Sequence, residues 1–491
     1  MAPRLQGELA PDGTLRLAVW GVGEAGRLKL GGLTGPMVIA PNRIETDAGG
    51  GLWVAQSAPA LLIRGASVEH IGGEASARLQ LASREDGVLV VAGADPLEAG
   101  RGLVMDAAAV VDEAAAYVAR CDRLPAGEPL VRSMVMQGAH AALSSIRAYP
   151  EGGFAGLAAG LAYSAPARTY YRDGYWTMQL LLRLAPDAVA AEIDRLAERI
   201  QPDGEAPSGV IIQGPHAELF EQRRRLEPAM LAAHWREGEW WSDHFDSPLF
   251  FVLAVGDYVA ATGDDDFARR HWPTMVAVLR RYLRLRGPEG LPVKPRNDRD
   301  WADNVYRQGL VSYDLGLWVG ALDLMARLGA TLSPEIAGEA RLAAIGARAE
   351  IDRRLRHDRG VVDYLRSDGW AETHAALDAM TLLRFDAVGG DLAFGMLEDA
   401  RLQLESRRNA AQPYGDFGML CAWPPFADHA ALRAKSADPY RYHNGGEWPW
   451  LDGLYAAERL RRGLGGWRYP LLRWWEICLE RGWAGAVEHY S

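Results

Sequence analysis

The spacing of apolar residues along the chain changes from a two-residue period to a helical period near residue 115. Before that point, short apolar runs alternate with polar residues and are separated by glycines, which is typical of β-strands joined by turns. The runs that predict strands lie at residues 15–20, 36–39, 51–55, 60–64, 77–81 and 87–92. We therefore predict an antiparallel β-sandwich over residues 1–115.

Beyond residue 115 the apolar residues recur with the period of an amphipathic or buried α-helix, and no strand pattern is evident between these runs. Twelve runs predict helices near residues 131–147, 174–183, 186–200, 216–233, 247–262, 265–286, 313–328, 333–356, 371–383, 392–408, 448–463 and 467–482. A long helical series can form a solenoid or a closed ring of hairpins. No fixed repeat length is visible, which disfavours the solenoid. The sequence thus predicts an α+β protein of two domains, residues 1–115 and 116–491.

Residues 21–26, GVGEAG, have the glycine spacing of a dinucleotide-binding loop and follow a predicted strand. Such a loop must open a helix whose N-terminus faces the pyrophosphate. Gly31, Gly32 and Gly35 interrupt the residues that follow, so no helix is predicted there. We interpret the segment as a turn between strands and predict no cofactor.

Composition narrows the possible partners and location. The 53 Lys and Arg against 64 Asp and Glu give a net charge of −11, which disfavours a nucleic-acid partner. No apolar run has the length of a membrane span and no leader opens the chain, so we expect no membrane partner. Cys121, Cys421 and Cys478 are far apart, which favours neither a disulfide framework nor a zinc site and fits the cytoplasm. The oligomeric state stays undetermined.

Long loops carry the polar and aromatic clusters. In the first cluster, residues 169–176, Arg172 and Asp173 have the donors and acceptors to bind adjacent sugar hydroxyls, while Tyr171 or Trp176 can stack on a pyranose. Alternatively, Asp173 is the N-cap of a helix.

The second cluster, residues 240–248, precedes a predicted helix. Asp246 or Ser247 fits the helix N-cap and Pro248 the first turn. Trp241 and its neighbours Trp240 and His244 have no evident structural role, which makes this loop a second candidate for substrate binding.

The third cluster, residues 295–304, holds three aspartates around Trp301, namely Asp298, Asp300 and Asp303. Glycoside hydrolysis requires a carboxyl group that stays protonated, and burial beside an aromatic ring raises a carboxyl pKa in that direction. The alternatives are a solvated acidic loop or a calcium site, although EF-hand spacing is absent.

The fourth cluster, residues 440–450, offers hydrogen-bonding groups and a stacking wall just before a predicted helix. These groups are His443, Asn444, Glu447 and Trp448. Glu447 is also placed where it could cap the following helix.

Several segments, taken in order, resemble a glycosidase family. They are YRDG at 171–174, DSPLFF at 246–251, YVAATGD at 258–264, HWP at 271–273, DWAD at 300–303, DLGLW at 314–318 and YHNGGEWPW at 442–450. This order resembles the amylo-α-1,6-glucosidase or glycogen-debranching type, and more broadly the six-hairpin (α/α)6 glycosidases that include trehalases, neutral invertases and mannosylglycerate-type hydrolases. The resemblance covers residues 165–491 and implies an (α/α)6 toroid.

The resemblance also implies an inverting mechanism with an aspartate acid and a glutamate base. The acid position falls on Asp303, and the base position falls on Glu488 in VEHY, residues 487–490. Relatives continue beyond that segment, whereas this sequence stops at Ser491. Either the chain is trimmed there or the base lies elsewhere, in which case Glu447 is the reserve base. Asp303 is preferred to Asp300 as the acid because it occupies the family position after the tryptophan, and Asp300 is expected to cap or brace the loop. Phe250 replaces a family tryptophan, which bears on the substrate. The substrate-binding side chains are expected to be Tyr171, Arg172, Asp173, Trp176, Trp241, Asp246, Asp300, Trp301, His443, Asn444, Glu447 and Trp448.

These residues leave three functional hypotheses. The first is an inverting α-glycosidase acting on an α-glucoside or another short saccharide. The second is a carbohydrate-binding protein of the same fold without turnover. The third is a sugar epimerase or isomerase, which generally works through histidines, and the histidines here form no evident pair in the sequence. In each case the expected partner is a small carbohydrate, with no metal.

Overall fold

The structure is a computed structural model. Within residues 4–93 it describes only the backbone of nine strands. It also describes residues 128–149, 153–159, 167–213, 236, 238–481 and 488–489. The predicted strand at 36–39, the segment 21–26, the domain boundary near 115 and the predicted helix at 216–233 lie outside the described residues. The chain divides into two compact units. One comprises Met1–Ala155 with Gly482–Ala484, and the other comprises Gly156–Arg481 with Gly485–Ser491.

The strands of the first unit form two antiparallel sheets. Their bounds are β1 Arg4–Leu9, β2 Leu15–Trp20, β3 Arg27–Lys29, β4 Arg43–Thr46, β5 Leu52–Ala55, β6 Ala60–Ile63, β7 Ala66–Ile71, β8 Ala77–Leu81 and β9 Val88–Gly93. The larger sheet has the order β1-β2-β9-β6-β5-β4 and the smaller β3-β8-β7. Every predicted strand in the described residues is present, whereas β1, β3, β4 and β7 were not predicted. Face-to-face packing of the sheets as a sandwich stays a prediction. Helix α1, Pro129–Ser144, and strand β10, Ile146–Ala148, follow in this unit.

The second unit is mainly helical. Its helices are α2 Tyr171–Leu184, α3 Pro186–Ala197, α4 Ser247–Thr262, α5 Asp265–Arg284, α6 Ser312–Leu332, α7 Pro334–Leu355, α8 Met380–Arg384, α9 Gly390–Gln403, α10 Pro449–Arg461 and α11 Arg468–Glu480. Most begin and end within a few residues of the predicted bounds, and α4 matches them at both ends.

Alternate helices of this unit pack in series. Helix α2 contacts α4, α4 contacts α6, α6 contacts α8, and α8 contacts α10. Each of the remaining helices except α9 packs against the helix directly before it in the chain, namely α3 on α2, α5 on α4, α7 on α6 and α11 on α10. The rings of Trp176 in α2 and Trp450 in α10 lie 5.5 Å apart, which brings the two ends of the series together. These contacts are those expected of helical hairpins in a ring, and the complete six-hairpin toroid stays a prediction.

Helices α4 and α6 are apolar on nearly all sides, as helices in the centre of a large protein are. Helix α6 is long and apolar enough to cross a membrane by length and composition, and 61% of that stretch is buried inside the protein. Between α4 and α5, Gly263 adopts a left-handed φ of 75° and ends α4. Asp264 then caps α5 by accepting a hydrogen bond from the Phe267 N–H at 2.9 Å.

The prediction that no strands lie between the helices is wrong. The strands are β11 Phe154–Leu157, β12 Ala167–Tyr170, β13 Gly209–Gln213, β14 Glu239–Trp240, β15 Lys294–Asn297, β16 Arg307–Val311, β17 Arg356–His357, β18 Gly360–Val361, β19 Tyr364–Leu365, β20 Ala371–Glu372, β21 Ala375–Ala376 and β22 Ala422–Trp423. They are two to five residues long, which is too short for alternation to register in the sequence. Sheets β12-β13-β14 and β15-β16-β19-β20 hold the loops before α2, α4 and α6.

The predicted helix at 371–383 is wrong over most of its length. Strands β20 and β21 and a 3-10 helix at Leu377–Ala379 occupy it, and the only α-helix in this range is α8, which begins at Met380. The side chains of Glu372, His374 and Asp378 are buried there. His374 pairs with Asp363 and Asp378 with Arg307 in other segments, and Glu372 accepts hydrogen bonds from the backbone N–H groups of Ala427 and Asp428. These tertiary interactions replace the solvated polar face that an amphipathic helix would have.

Candidate active site

The four predicted clusters all lie at or just before the N-terminal ends of alternate helices. The first begins α2 and the second precedes α4. The third precedes β16, which leads into α6, and the fourth precedes α10. Since these helices pack in series, their N-terminal ends collect the four clusters at one place.

Asp246 joins three of these helix ends. It occupies the N-cap position of α4 as predicted, but its side chain does not cap the helix. Its carboxylate instead accepts hydrogen bonds from Arg172 at 2.8 Å, from His244 Nδ1 at 2.7 Å and from the Tyr313 hydroxyl at 3.0 Å. Burial raises the pKa of Asp246, but Arg172 and His244 outweigh burial, so the pKa is lowered overall. Asp246 therefore keeps its charge to a lower pH than an ordinary aspartate and holds Arg172 and His244 in place.

Asp173 is not the N-cap of α2. The helix begins at Tyr171 with Tyr170 as its N-cap residue, which places Asp173 inside the first turn. Burial is the main cause that raises the pKa of Asp173, and the charge of Glu488 adds to it, while Arg172 opposes both.

We expect Asp173→Ala to lower kcat/KM by about 10- to 150-fold, since a ligand hydroxyl would lose a charged partner worth roughly 1.5–3 kcal/mol. Asp187→Ala is the matched control, because Asp187 lies in the first turn of α3 and is exposed. Steady-state kinetics of both variants measure the difference. Wild-type kinetics for Asp173→Ala would reduce this residue to a structural part of the helix.

Trp301 brings the third and fourth clusters together. Its ring packs edge-on against His443 at 4.7 Å, Trp448 at 5.5 Å and Trp450 at 5.5 Å. Its indole N–H donates a hydrogen bond to Asp378. Trp301 is therefore a buried wall whose orientation is fixed on every side that the structure describes.

Asp303 follows this wall and keeps contact with solvent. Its side chain is 25% exposed, and one carboxyl oxygen lies 3.7 Å from His443 Nδ1. Asn304 donates a hydrogen bond to it at 2.8 Å. Burial raises the pKa of Asp303 and outweighs the opposing effect of Arg172. Asp303 is thus accessible and retains its proton to a higher pH than an ordinary aspartate.

Asp300 differs from Asp303 in its exposure, its partners and the direction of its pKa shift. It is 0% exposed, and its carboxylate interacts with Arg307 at 3.0 Å and Lys294 at 3.5 Å. It also accepts a hydrogen bond from the Ala302 N–H at 2.9 Å. Burial alone would raise the pKa of Asp300, but Arg307 and Lys294 lower it overall. These contacts fit the expectation that Asp300 braces its loop rather than the expectation that it binds substrate.

Arg307 is the centre of a charge network that the sequence analysis missed. It is buried and bonds Asp363 at 2.9 Å and Asp378 at 2.6 Å in addition to Asp300. His374 pairs with Asp363 at 3.2 Å, and the pKa of His374 is raised to about 9 because its acidic partners outweigh the effect of burial. Buried ion pairs of this kind are costly to break, since removal of one partner leaves an uncompensated charge. Isolated charged residues within apolar runs were the only signal in the sequence.

Two expected ligand contacts of the fourth cluster are used to build the loop. Asn444 accepts a hydrogen bond from the Phe426 N–H at 2.9 Å and donates one to Ser436 O at 3.2 Å. Trp448 is buried and stacks with His443 at 4.9 Å. Burial, with Arg172 next, lowers the pKa of His443 well below its usual value, so its imidazole is neutral. His443 therefore neighbours Asp303 as a neutral group.

Glu447 is buried against Asp452, and burial followed by the charge of Asp452 raises its pKa well above the usual value. It does not cap α10, whose N-cap residue is Trp448. A buried, protonated carboxyl group is a poor general base. The structure therefore disfavours the reserve base.

Glu488 is 51% exposed and carries the opposite shift. Its neighbour His489 lies 3.8 Å from one carboxylate oxygen, and this interaction lowers the pKa of Glu488, assisted by Lys435 and Arg172. The His489 ring also stacks on Trp448 at 5.0 Å. This contact holds the segment of Glu488 against the fourth cluster.

Three remaining aromatic predictions have different outcomes. Tyr171 is buried and its hydroxyl donates to Leu196 O at 2.7 Å, so it cannot stack on a ligand. Trp176 packs against Trp450 and is partly exposed at the same helix ends. Trp241 is partly exposed, and its ring stacks on that of Trp240 at 6.2 Å. In the part of the chain that the structure describes, no three His, Cys, Asp or Glu side chains are grouped as metal ligands.

Comparisons with known proteins give a fold. No protein-family model and no curated protein sequence matches this chain. A rhamnosidase from Klebsiella oxytoca with rhamnose bound is similar at a TM-score of 0.54 and 12% identity, over 99% of this chain and 82% of that one. A GH78 family rhamnosidase of Bacillus sp. GL1 gives a TM-score of 0.51 and 13% identity, over 99% of this chain and 44% of that one. A GH63 mannosylglycerate hydrolase from Thermus thermophilus in complex with glucose gives 0.51 and 14%, over 72% of this chain and 93% of that one.

These solved structures are glycoside hydrolases with an (α/α)6-like fold. At such low identity they show a similarity of overall fold, while the complete six-hairpin toroid stays a prediction and the substrate stays open. The finer resemblance to the debranching type and to neutral invertases stays a prediction.

Proposed function

We propose that the protein is an inverting glycoside hydrolase acting on an α-glucoside or another short saccharide, with Asp303 as general acid and Glu488 as general base. The observation that carries the proposal is a pair of accessible carboxyl groups beside one aromatic cluster. Asp303 lies 3.7 Å from His443, and His489, next to Glu488, stacks on Trp448, which stacks on His443. The pKa of Asp303 is raised and that of Glu488 is lowered. A raised pKa favours the protonated form that a general acid needs, and a lowered pKa favours the ionised form that a general base needs. The fold shared with glycoside hydrolases supports the same function.

In this mechanism Asp303 donates its proton to the glycosidic oxygen as the bond to the anomeric carbon breaks. Glu488 takes a proton from a water molecule, which attacks that carbon from the opposite face. Such a pair must stand about 6.5–9.5 Å apart to admit the water, against about 5–5.5 Å in a retaining enzyme. Arg172 and Asp173 would hold the hydroxyls of the sugar whose bond is cleaved.

The direct test is to follow the products of a short saccharide panel by proton NMR. An inverting hydrolase releases sugar whose anomeric configuration is opposite to that of the substrate at early times. Binding without release would favour the carbohydrate-binding protein, and a change of sugar without hydrolysis would favour the epimerase or isomerase. Products that retain the configuration would refute the inverting mechanism.

The expected pH dependence of kcat/KM follows from the pKa shifts of Asp303 and Glu488. Asp303 must be protonated, so activity is lost as the pH rises through its pKa, which lies above the ordinary 3.8. Glu488 must be ionised, so activity is lost as the pH falls through its pKa, which lies below the ordinary 4.5. We expect a bell-shaped profile of kcat/KM whose plateau lies between the two pKa values. With an activated substrate, Asp303→Asn should lose the alkaline limb and keep the acidic one. If that limb persists, another group donates the proton.

A further inference from the structure

Three aromatic side chains form a cluster at the surface of the helical unit. The rings of Trp423 and Tyr440 are stacked, with centroids 5.8 Å apart and 23° between their planes. Tyr414 packs edge-on against Tyr440 at 5.7 Å. Tyr414 is 61% exposed, and the other two are partly exposed. Aromatic rings gain most when removed from water, so three left together at a surface indicate a binding site.

The backbone that presents Tyr440 is strained. Tyr440 and Tyr442 have φ values of +64° and +46°, a left-handed conformation that bulky residues rarely adopt. The Tyr440 N–H donates to Asn444 O at 2.7 Å, and the Cys421 N–H donates to Gly446 O at 2.8 Å, which ties this loop to the segment that carries Trp423. Strain of this kind persists where surrounding bonds enforce it, and it concentrates at ligand sites.

The aromatic cluster adjoins the candidate active site. His443 follows Tyr440 by three residues, so their Cα atoms are at most about 11 Å apart. His443 in turn lies beside Asp303 and packs on Trp301. The walls around Trp301 are buried, whereas Tyr414 faces solvent. Because the general acid protonates the leaving group, the leaving-group side of a bond cleaved at Asp303 lies beside the loop that carries His443 and Tyr440.

We propose that Trp423 and Tyr440, with Tyr414 at the margin, bind a sugar ring on the leaving-group side of the scissile bond. This inference rests on the proposed hydrolase function and names its substrate class. The substrate is an oligosaccharide whose leaving group is itself a pyranose, in preference to a glycoside of a small alcohol. One face of a pyranose consists of C–H bonds and packs on an aromatic ring as apolar surface, while its hydroxyls remain in water.

The test compares two kinds of substrate for the same enzyme variants. The substrates are di- and trisaccharides of glucose, mannose and rhamnose, each paired with the glycosyl fluoride of the same sugar, which has no leaving-group ring. Trp423→Ala should lower kcat/KM for the cleaved oligosaccharide roughly three- to tenfold and leave the fluoride unchanged. Tyr414→Ala should act in the same direction with a smaller loss. Phe394→Ala is the control, since Phe394 is a 47% exposed aromatic on α9.

Equal losses on oligosaccharide and fluoride, or no loss in either aromatic variant, would overturn the inference. If the wild type cleaves none of the oligosaccharides or fluorides, the proposed function fails on its own. Calorimetric titration with the same trisaccharides then decides the inference separately. Weaker binding by Trp423→Ala and Tyr414→Ala than by Phe394→Ala would support the stacking surface, and equal binding or no binding would refute it.

Discussion

Replacement of Asp303 by asparagine is expected to lower kcat on an unactivated saccharide by about 10²- to 10⁴-fold, with KM little changed. A positioned general acid contributes a factor of this size to the transition state. The amide keeps the volume of the carboxyl group and can still contact Asn304 and His443, but it cannot release a proton. The loss should therefore fall on kcat rather than on binding.

The control for this variant is Asp298→Asn on the same loop. Asp298 forms an ion pair with Arg433 and lies near Arg299, so its charge serves the loop. Its replacement should leave kcat within a few-fold of the wild type, because pairs near the surface contribute little. A glycosyl fluoride needs less acid assistance and should recover much of the activity of Asp303→Asn. Equal kcat for both aspartate variants on the saccharide would remove Asp303 from the mechanism.

The helices were predictable where burial alone decides their pattern. Helix α4 is apolar on nearly all sides, begins with Ser247-Pro248 and ends at Gly263, so periodicity, the early proline and the terminal glycine agree. The short strands between helices were not predictable, because segments of two to five residues carry no measurable alternation. The region 371–383 shows the same limit, since the ion pairs and hydrogen bonds of Glu372 and Asp378 come from distant segments.

Motif position favoured Asp303 over Asp300 as the acid, but for the other residues of the candidate site it did not distinguish those that face a ligand from those that build the wall. Asp300 and Asp303 belong to one motif, yet Arg307 and Lys294 bury and neutralise the first while the second keeps an exposed edge. Asn444 was expected to bind a ligand, and its amide instead joins two loops. Such differences arise from tertiary partners that are distant in the chain, as Asp378 is from Trp301, 77 residues away.

Replacement of Glu488 by glutamine is the second large effect that we expect, again a loss of about 10²- to 10⁴-fold in kcat with KM little changed. The glutamine side chain cannot accept the proton of the attacking water. In contrast to the acid variant, this loss should persist with a glycosyl fluoride, because a better leaving group does not activate the nucleophile. The pair of variants therefore separates the two roles by substrate, through the ratio of kcat on saccharide to kcat on fluoride.

Two further glutamates decide whether that loss is specific to Glu488. Glu480→Gln changes an exposed residue at the end of α11 whose partner is Arg473, and it should behave as the wild type. Glu447→Gln changes the buried partner of Asp452. Because burial and Asp452 raise the pKa of Glu447 and so favour its neutral form, the neutral glutamine should change kcat far less than in Glu488→Gln. Full activity of Glu488→Gln together with an inactive but folded Glu447→Gln would transfer the base to Glu447, and full activity of both would favour a protein that binds carbohydrate without cleaving it.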